Sequence, residues 1–265
     1  MKTIKFDIKM ITPMFMSGEN QAKFELRPPS LKGAMRFWWR ACYWGHHTDS
    51  EKLMERMKEK EGKIFGTASD KGRKSGFFIR IVKNNNIQET IAPFPEHPVK
   101  AQSGGRTFNI LEYLAYGTYG YQRGKGNVFN RGYIPADSVF SVILNISDET
   151  VEKDVINSFY FLSVFGGLGA KSRNGFGNFV IEKIALETPD LLNDLEFPFP
   201  TKTLFDKIVR NDKLPGFSAF SKQMKIFKLK NLIQVGITAL PSLVKFIGQA
   251  NCNLISKRLI NPTLK

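Results

Sequence analysis

An α+β fold follows from three features of the chain. Residues 2–11 alternate apolar and polar side chains, residues 31–44 and 148–165 have helical periods, and strand-like runs follow these helices at 77–82, 133–146 and 178–186. Reduced to essentials, the order is β-α-β-β-α-β, the split arrangement of a ferredoxin-like (RRM-like) domain with insertions. Such a sheet gives one face to its helices and offers the other to a partner.

Each element has a local reason. The alternation over 2–11 gives the first strand, and Thr12-Pro13-Met14-Phe15-Met16-Ser17-Gly18 is its turn-rich exit. In Glu25-Leu26-Arg27-Pro28-Pro29-Ser30 each proline disfavours the helical region in the residue before it, so Ser30 is expected to cap a helix over 31–44. A second, charged helix is expected over 50–61, stopping at Gly62, its mixed charges forming a solvated face. Residues 77–82 and 87–91 read as strands around an Asn84-Asn85-Asn86 turn. Residues 93–106 read as loop, 108–116 as a short helix and 117–132 as a long loop rich in Gly, Tyr, Arg and Asn. The strand within 133–146, the helix over 148–165, a glycine-rich loop and the strand over 178–186 complete a domain over residues 1–187. Residues 188–265 read as a linker, stiffened by Phe197-Pro198-Phe199-Pro200, and a basic C-terminal segment, which is either a nucleic-acid-binding extension or a shortened end, a partial second ferredoxin-like domain.

With 265 residues, 42% hydrophobic and 24% charged, the chain can bury a core. A formal charge of +15 favours a polyanionic partner: nucleic acid, an acidic membrane surface or an acidic protein. The charge is uneven. Residues 213–265 hold nine Lys and Arg and no acid, against 30 basic and 24 acidic residues in 1–212. Two cysteines, Cys42 and Cys252, make no disulfide framework and suit a reducing, cytoplasmic setting. No signal peptide is visible, and the longest apolar stretch, within 232–244, is too short to cross a membrane.

The segment Gly166-Gly167-Leu168-Gly169-Ala170-Lys171-Ser172-Arg173-Asn174-Gly175-Phe176-Gly177 has five glycines in twelve residues. Exposed backbone N–H groups beside Lys171 and Arg173 would cradle a phosphate; the plainer alternative is a connection with two solvated cations. The loop joins helix to strand, the reverse of a dinucleotide-binding turn, and Ser172 holds the place of that motif's third glycine. Ala170 separates Gly169 from Lys171, which breaks a Walker A pattern. On the helix over 31–44, Lys32, Arg36 and Arg40 are spaced i, i+4, i+8 and form one cationic stripe, a candidate phosphate track with Arg27 just upstream. The helix N-terminus beside Ser30 could hold a phosphate. The aromatics Phe37, Trp38, Trp39, Tyr43 and Trp44 read mostly as core.

These residues carry a resemblance. The stretch from Thr12 to Gly18, the run Glu25-Leu26-Arg27-Pro28-Pro29-Ser30-Leu31-Lys32-Gly33-Ala34-Met35-Arg36-Phe37-Trp38-Trp39-Arg40, the later Ile64-Phe65-Gly66 and the glycine loop resemble, in the same order, the first subunits of the Cmr complex, the type III-B CRISPR effector. The glycine loop alone is similar to the wider RAMP superfamily. The resemblance spans about residues 1–187, and residues 188–265 depart from a family whose chains continue into a second ferredoxin-like domain. It implies a cytoplasmic, non-catalytic RNA-binding subunit of an antiviral ribonucleoprotein, near the 3′ part of the guide RNA. Such a subunit helps to capture complementary single-stranded target RNA beside other RAMP subunits, with no metal, cofactor or membrane. The resemblance carries over Lys32, Arg36 and Arg40 and the glycine loop with Gly167, Gly169, Lys171, Ser172, Arg173, Gly175 and Phe176, and the helix start adds Arg27 and Ser30 as expected RNA-binding residues.

Two alternatives remain open from the residues. A metal-independent RAMP endoribonuclease would need a general base, for which His46 or His47 is the candidate; His97 stands apart, and no metal-ligand cluster or nucleophile elbow is evident. A scaffold subunit would dock neighbours through its aromatics and basic tail. Tyr113, Tyr116, Tyr119 and Tyr121 could stack on bases or belong to the core.

Overall fold

The computed structural model describes residues 1–48, 51–68, 72–84, 87–100, 105, 107–186, 209–213, 217 and 219–222. Four strands make the central sheet: β1 (Lys2–Met10), β2 (Phe77–Lys83), β7 (Val139–Ile146) and β8 (Phe179–Leu186), ordered β2-β7-β1-β8 and antiparallel throughout. The pleat sends alternate residues of β1, Ile4, Phe6, Ile8 and Met10, to one face, all at most 2% exposed. β7 matches them with Phe140, Val142, Leu144 and Ile146. Three helices cover that face: α1 (Pro28–His46), α2 (Leu53–Phe65) and α4 (Glu152–Phe165). Leu31, Met35 and Trp39 of α1 meet Val155, Phe159 and Leu162 of α4 in the main core. The buried indole of Trp39 donates to Asp154 at 2.9 Å, so its N–H is not stranded among apolar groups.

The opposite face is more polar, though Ser141 and Ile143 of β7 are buried on it. Ser141 of β7 donates to Asp7 of β1 at 2.6 Å, and Lys5 lies 3.2 Å from the same carboxylate. The serine hydrogen bond first, then Lys5 and Lys183, hold the Asp7 carboxyl below its ordinary value despite some burial. At the β2 edge, Phe78 and Val82 stand exposed.

Between β2 and β7 lies an insertion. It holds β3 (Pro98–Lys100) paired with β4 (Thr107–Asn109), the short helix α3 (Ile110–Leu114), and a hairpin of β5 (Tyr119–Gln122) and β6 (Gly126–Phe129). A second core of Phe15, Phe94, Leu111, Ala115, Phe129, Tyr133 and Phe176 fastens it to the rest.

Several expectations change. The α1 helix starts at Pro28, so Ser30 sits inside its first turn and Arg27, extended, is the residue before it. Prolines at the first two positions lack only N–H groups that no helix would use. The α2 helix runs through Gly62 and ends at Gly66, because Gly62, Ile64 and Phe65 are buried. The expected strand over 87–91 reduces to one bridge, Thr90 to Tyr133. The loops expected over 93–106 and 117–132 contain β3 and the β5–β6 hairpin. The expected linker at 189–200 and most of the basic tail, Cys252 included, lie outside the described residues.

Of the C-terminal segment, described residues among 209–213, 217 and 219–220 meet the helices. Val209 and Phe220 join Ala41 of α1 with Tyr160, Phe161 and Val164 of α4 in a third cluster. The N–H groups of Arg210 and Asn211 donate to Gly45 O at 2.6 and 2.9 Å, and the Asn211 amide donates to Trp44 O at 3.1 Å, occupying carbonyls that the end of a helix leaves open.

Candidate nucleic-acid interface

The cationic stripe exists, but it faces protein. Arg40 grips Glu61 of α2 through two parallel bonds, Nε to Oε2 at 2.5 Å and Nη2 to Oε1 at 2.6 Å, and this carboxylate raises the pKa of the guanidinium further. Arg36 Nε lies 3.4 Å from Glu61 Oε1; its Nη2 donates to the carbonyls of Phe65 and Gly66 at 3.3 Å, and its guanidinium lies over the Phe65 ring. These carbonyls close α2, where a cation also complements the helix dipole. Lys32 lies 5.0 Å from the Phe77 ring centroid; burial first, and Arg36 second, depress its pKa. The stripe therefore braces α1 against α2 and β2.

Trp38, about 200° around α1 from Arg36 at 3.6 residues per turn, faces the other way. Its ring packs on Phe165, and a side chain at Gly166 would run into its indole nitrogen. The stripe and the start of the glycine loop, Gly166, therefore meet different sides of α1.

The loop is fixed by backbone. Ala170 N–H donates to Phe15 O at 2.7 Å and Gly177 N–H to Pro13 O at 2.8 Å, while Leu168 N–H donates to Gly177 O at 2.8 Å. A Cβ at Gly169, at φ +82°, would strike the Phe15 carbonyl; here glycine is needed so that two backbone segments can touch. Gly167 and Gly175 are buried, and Phe176 is fully buried in the aromatic core against Phe15 and Phe94. These three hold the loop's shape and are not open to a ligand. Ser172 begins a single 3-10 turn with Arg173 and Asn174.

Exposed Arg173 and half-buried Lys171 have no side-chain ion pair or hydrogen bond among the described residues. Asn174 Nδ2 donates to Leu114 O at 2.8 Å, which ties the loop to α3. On the other side of Phe15, Arg27 Nη1 donates to Ser17 O at 3.4 Å, so Arg27 and the loop flank one segment, residues 13–17. Sequence reasoning divided the tyrosines less finely than the structure does. Tyr113, Tyr116 and Tyr121 are exposed, while Tyr119 packs on Phe129 of the second core.

Among the described residues no group of three or more His, Cys, Asp or Glu could hold a metal ion. His47 stacks on Tyr43 and its Nδ1 is 2.7 Å from Tyr43 O, so its ring is held against α1. No helix among the described residues is long and apolar enough to cross a membrane.

An antiparallel sheet with helices on one face and a crowded glycine-rich turn before its last strand defines a class. The family model of the RAMP superfamily matches residues 7–180, and the chain belongs to that superfamily. Within it the chain resembles the Cmr1 proteins. It is 28% identical over 188 residues to CRISPR system Cmr subunit Cmr1-2 of Pyrococcus furiosus, covering 68% of this chain and 95% of that protein. It is 27% identical over 197 residues to Cmr1-1 of the same organism, covering 72% of this chain and 50% of that one. The crystal structure of Cmr1 from Pyrococcus furiosus in its apo form matches at a TM-score of 0.44 and 29% identity, over 74% of this chain and 53% of that one. The chain thus spans nearly the whole of one relative and about half of the other two.

Proposed function

We propose that this chain is an RNA-binding subunit of a type III-B CRISPR effector, without chemistry of its own, that works in the cytoplasm beside other RAMP subunits. The strand order and helix placement fit a ferredoxin-like domain, and the open sheet edge at Phe78 and Val82 suits contact with a neighbouring subunit. One observation carries the RNA reading. In a chain of net charge +15, the glycine loop presents Lys171 and Arg173 with no side-chain ion pair or hydrogen bond among the described residues, on a backbone pinned to residues 13–17. A cation already bonded to a carboxylate gives little to a phosphate, so Arg36 and Arg40, and Arg27 with its Nε 3.8 Å from Glu25 Oε1, contribute less than Lys171 and Arg173. Gly169 and Ser172 stand within two residues of Lys171 in the chain, and Ser30 and Lys32 add a hydroxyl and a charge near Arg27. Guide RNA and captured target RNA offer the same phosphates, and both remain within the proposal.

The test is RNA affinity at several salt concentrations. The double variant Lys171→Glu/Arg173→Glu is expected to weaken binding by about tenfold or more and to flatten the dependence on salt by about two phosphate contacts. Wild-type affinity and slope in that variant would remove the assignment.

A further inference from the structure

The insertion between β2 and β7 leaves flat aromatic rings in solvent beside the glycine loop. Tyr113, Tyr116 and Tyr121 are 65%, 73% and 78% exposed. Their exposure is not the result of a loose insertion, because the inner side of the same elements is packed: Leu111, Ala115 and Phe129 are buried in the second core. Tyr116 meets Tyr119 edge-on at 6.4 Å between centroids, Tyr121 lies two residues beyond Tyr119 on the same side of β5, and the Tyr113 ring packs on Phe108 at 5.5 Å. The cations are adjacent as well. A side chain at Gly117, directly after Tyr116, would come 3.8 Å from Lys171 Nζ, and exposed Arg123 and Lys125 occupy the hairpin turn. The carboxylate in this group, Glu112, is engaged by the Asn127 amide at 2.6 Å.

A base in a duplex has both faces covered by its neighbours, whereas an unpaired base offers its π-face to a ring. We infer that Tyr113, Tyr116 and Tyr121 form a stacking platform for unpaired bases of a single RNA strand whose phosphates run past Lys171 and Arg173. The inference deepens the RNA-binding reading above and rests on it. Stacking on tyrosine tolerates any base, so the platform holds the strand without reading its sequence.

The experiment uses the full chain and two probes, a labelled oligo-uridine and the same strand paired to its complement. Removing all three rings (Tyr113→Ala/Tyr116→Ala/Tyr121→Ala) is expected to lower affinity for the single strand by on the order of tenfold per ring in contact. Duplex affinity and the salt slope should stay unchanged, because no phosphate contact is lost. The matching phenylalanine variant should bind as the wild type does, since the ring and not the hydroxyl stacks. Uridine carrying a photoreactive bromine should crosslink to these tyrosines. If the alanine variant, folded by circular dichroism, keeps wild-type affinity while Lys171→Glu/Arg173→Glu loses it, the platform is wrong and the RNA-binding reading stands. If neither variant changes affinity, both fall. Loss of assembly with a protein subunit without loss of RNA affinity would make the tyrosines a protein contact and overturn the platform.

Discussion

Glu61 decides what two arginines of α1 can do. It is only 14% exposed on its side chain, and both guanidiniums converge on it. Removing Arg40 leaves a shielded carboxylate with a poorer partner, so Arg40→Ala is expected to destabilise the fold by about 1–3 kcal/mol while RNA affinity changes little. Urea unfolding and a binding isotherm on the same protein check both halves. The i, i+4, i+8 spacing was legible in the sequence, and it forms one face as expected. The partner was not legible, because Glu61 lies in another helix, and spacing along one helix does not say which neighbour packs against it. Charge spacing reveals a stripe but not whether solvent, phosphate or a carboxylate faces it.

At the level of elements, strands and helices read well where one face was buried. The alternation of β1 and the periods of α1 and α4 fixed their type, because burial of one face was their reason to form. The β5–β6 hairpin was missed for a physical reason: with Gly120, Gly124 and Gly126 among its tyrosines it has little local strand preference, and the aromatic core beneath holds it. The glycine loop was legible as a loop, yet its glycines serve close backbone passage as much as any ligand. In the sheet, the Asp7–Ser141 bond joins β1 to β7 and carries a pH signature. A carboxyl held below 3.8 contributes stability that is present above the unfolded value and lost as pH falls through the folded value. The wild type is therefore expected to lose stability on acidification below pH ~4 more steeply than Asp7→Asn, as read from urea midpoints across acidic buffers.

For the whole molecule, the helices α1 and α4 are closed by residues far downstream. Phe220 is 4% exposed and sits against Trp38, Phe161 and Phe165. The Phe220→Ala variant is expected to cost about 3 kcal/mol, and a chain ending at residue 187 should bind apolar dyes and aggregate, since Tyr160 and Phe161 lose their cover. Chemical denaturation and light scattering check these outcomes. Composition alone could not show this, because a basic tail of mixed apolar residues gives no period that points to its docking site.

Residues 45 and 210 meet across most of the described chain, and this sets an order of events during translation. The helices α1 and α4 leave the ribosome tens of residues before Val209 and Phe220 do. At about 5–20 residues per second, the nascent domain waits several seconds with an uncovered apolar wall. Arrival of the closing segment is the clock for its maturation.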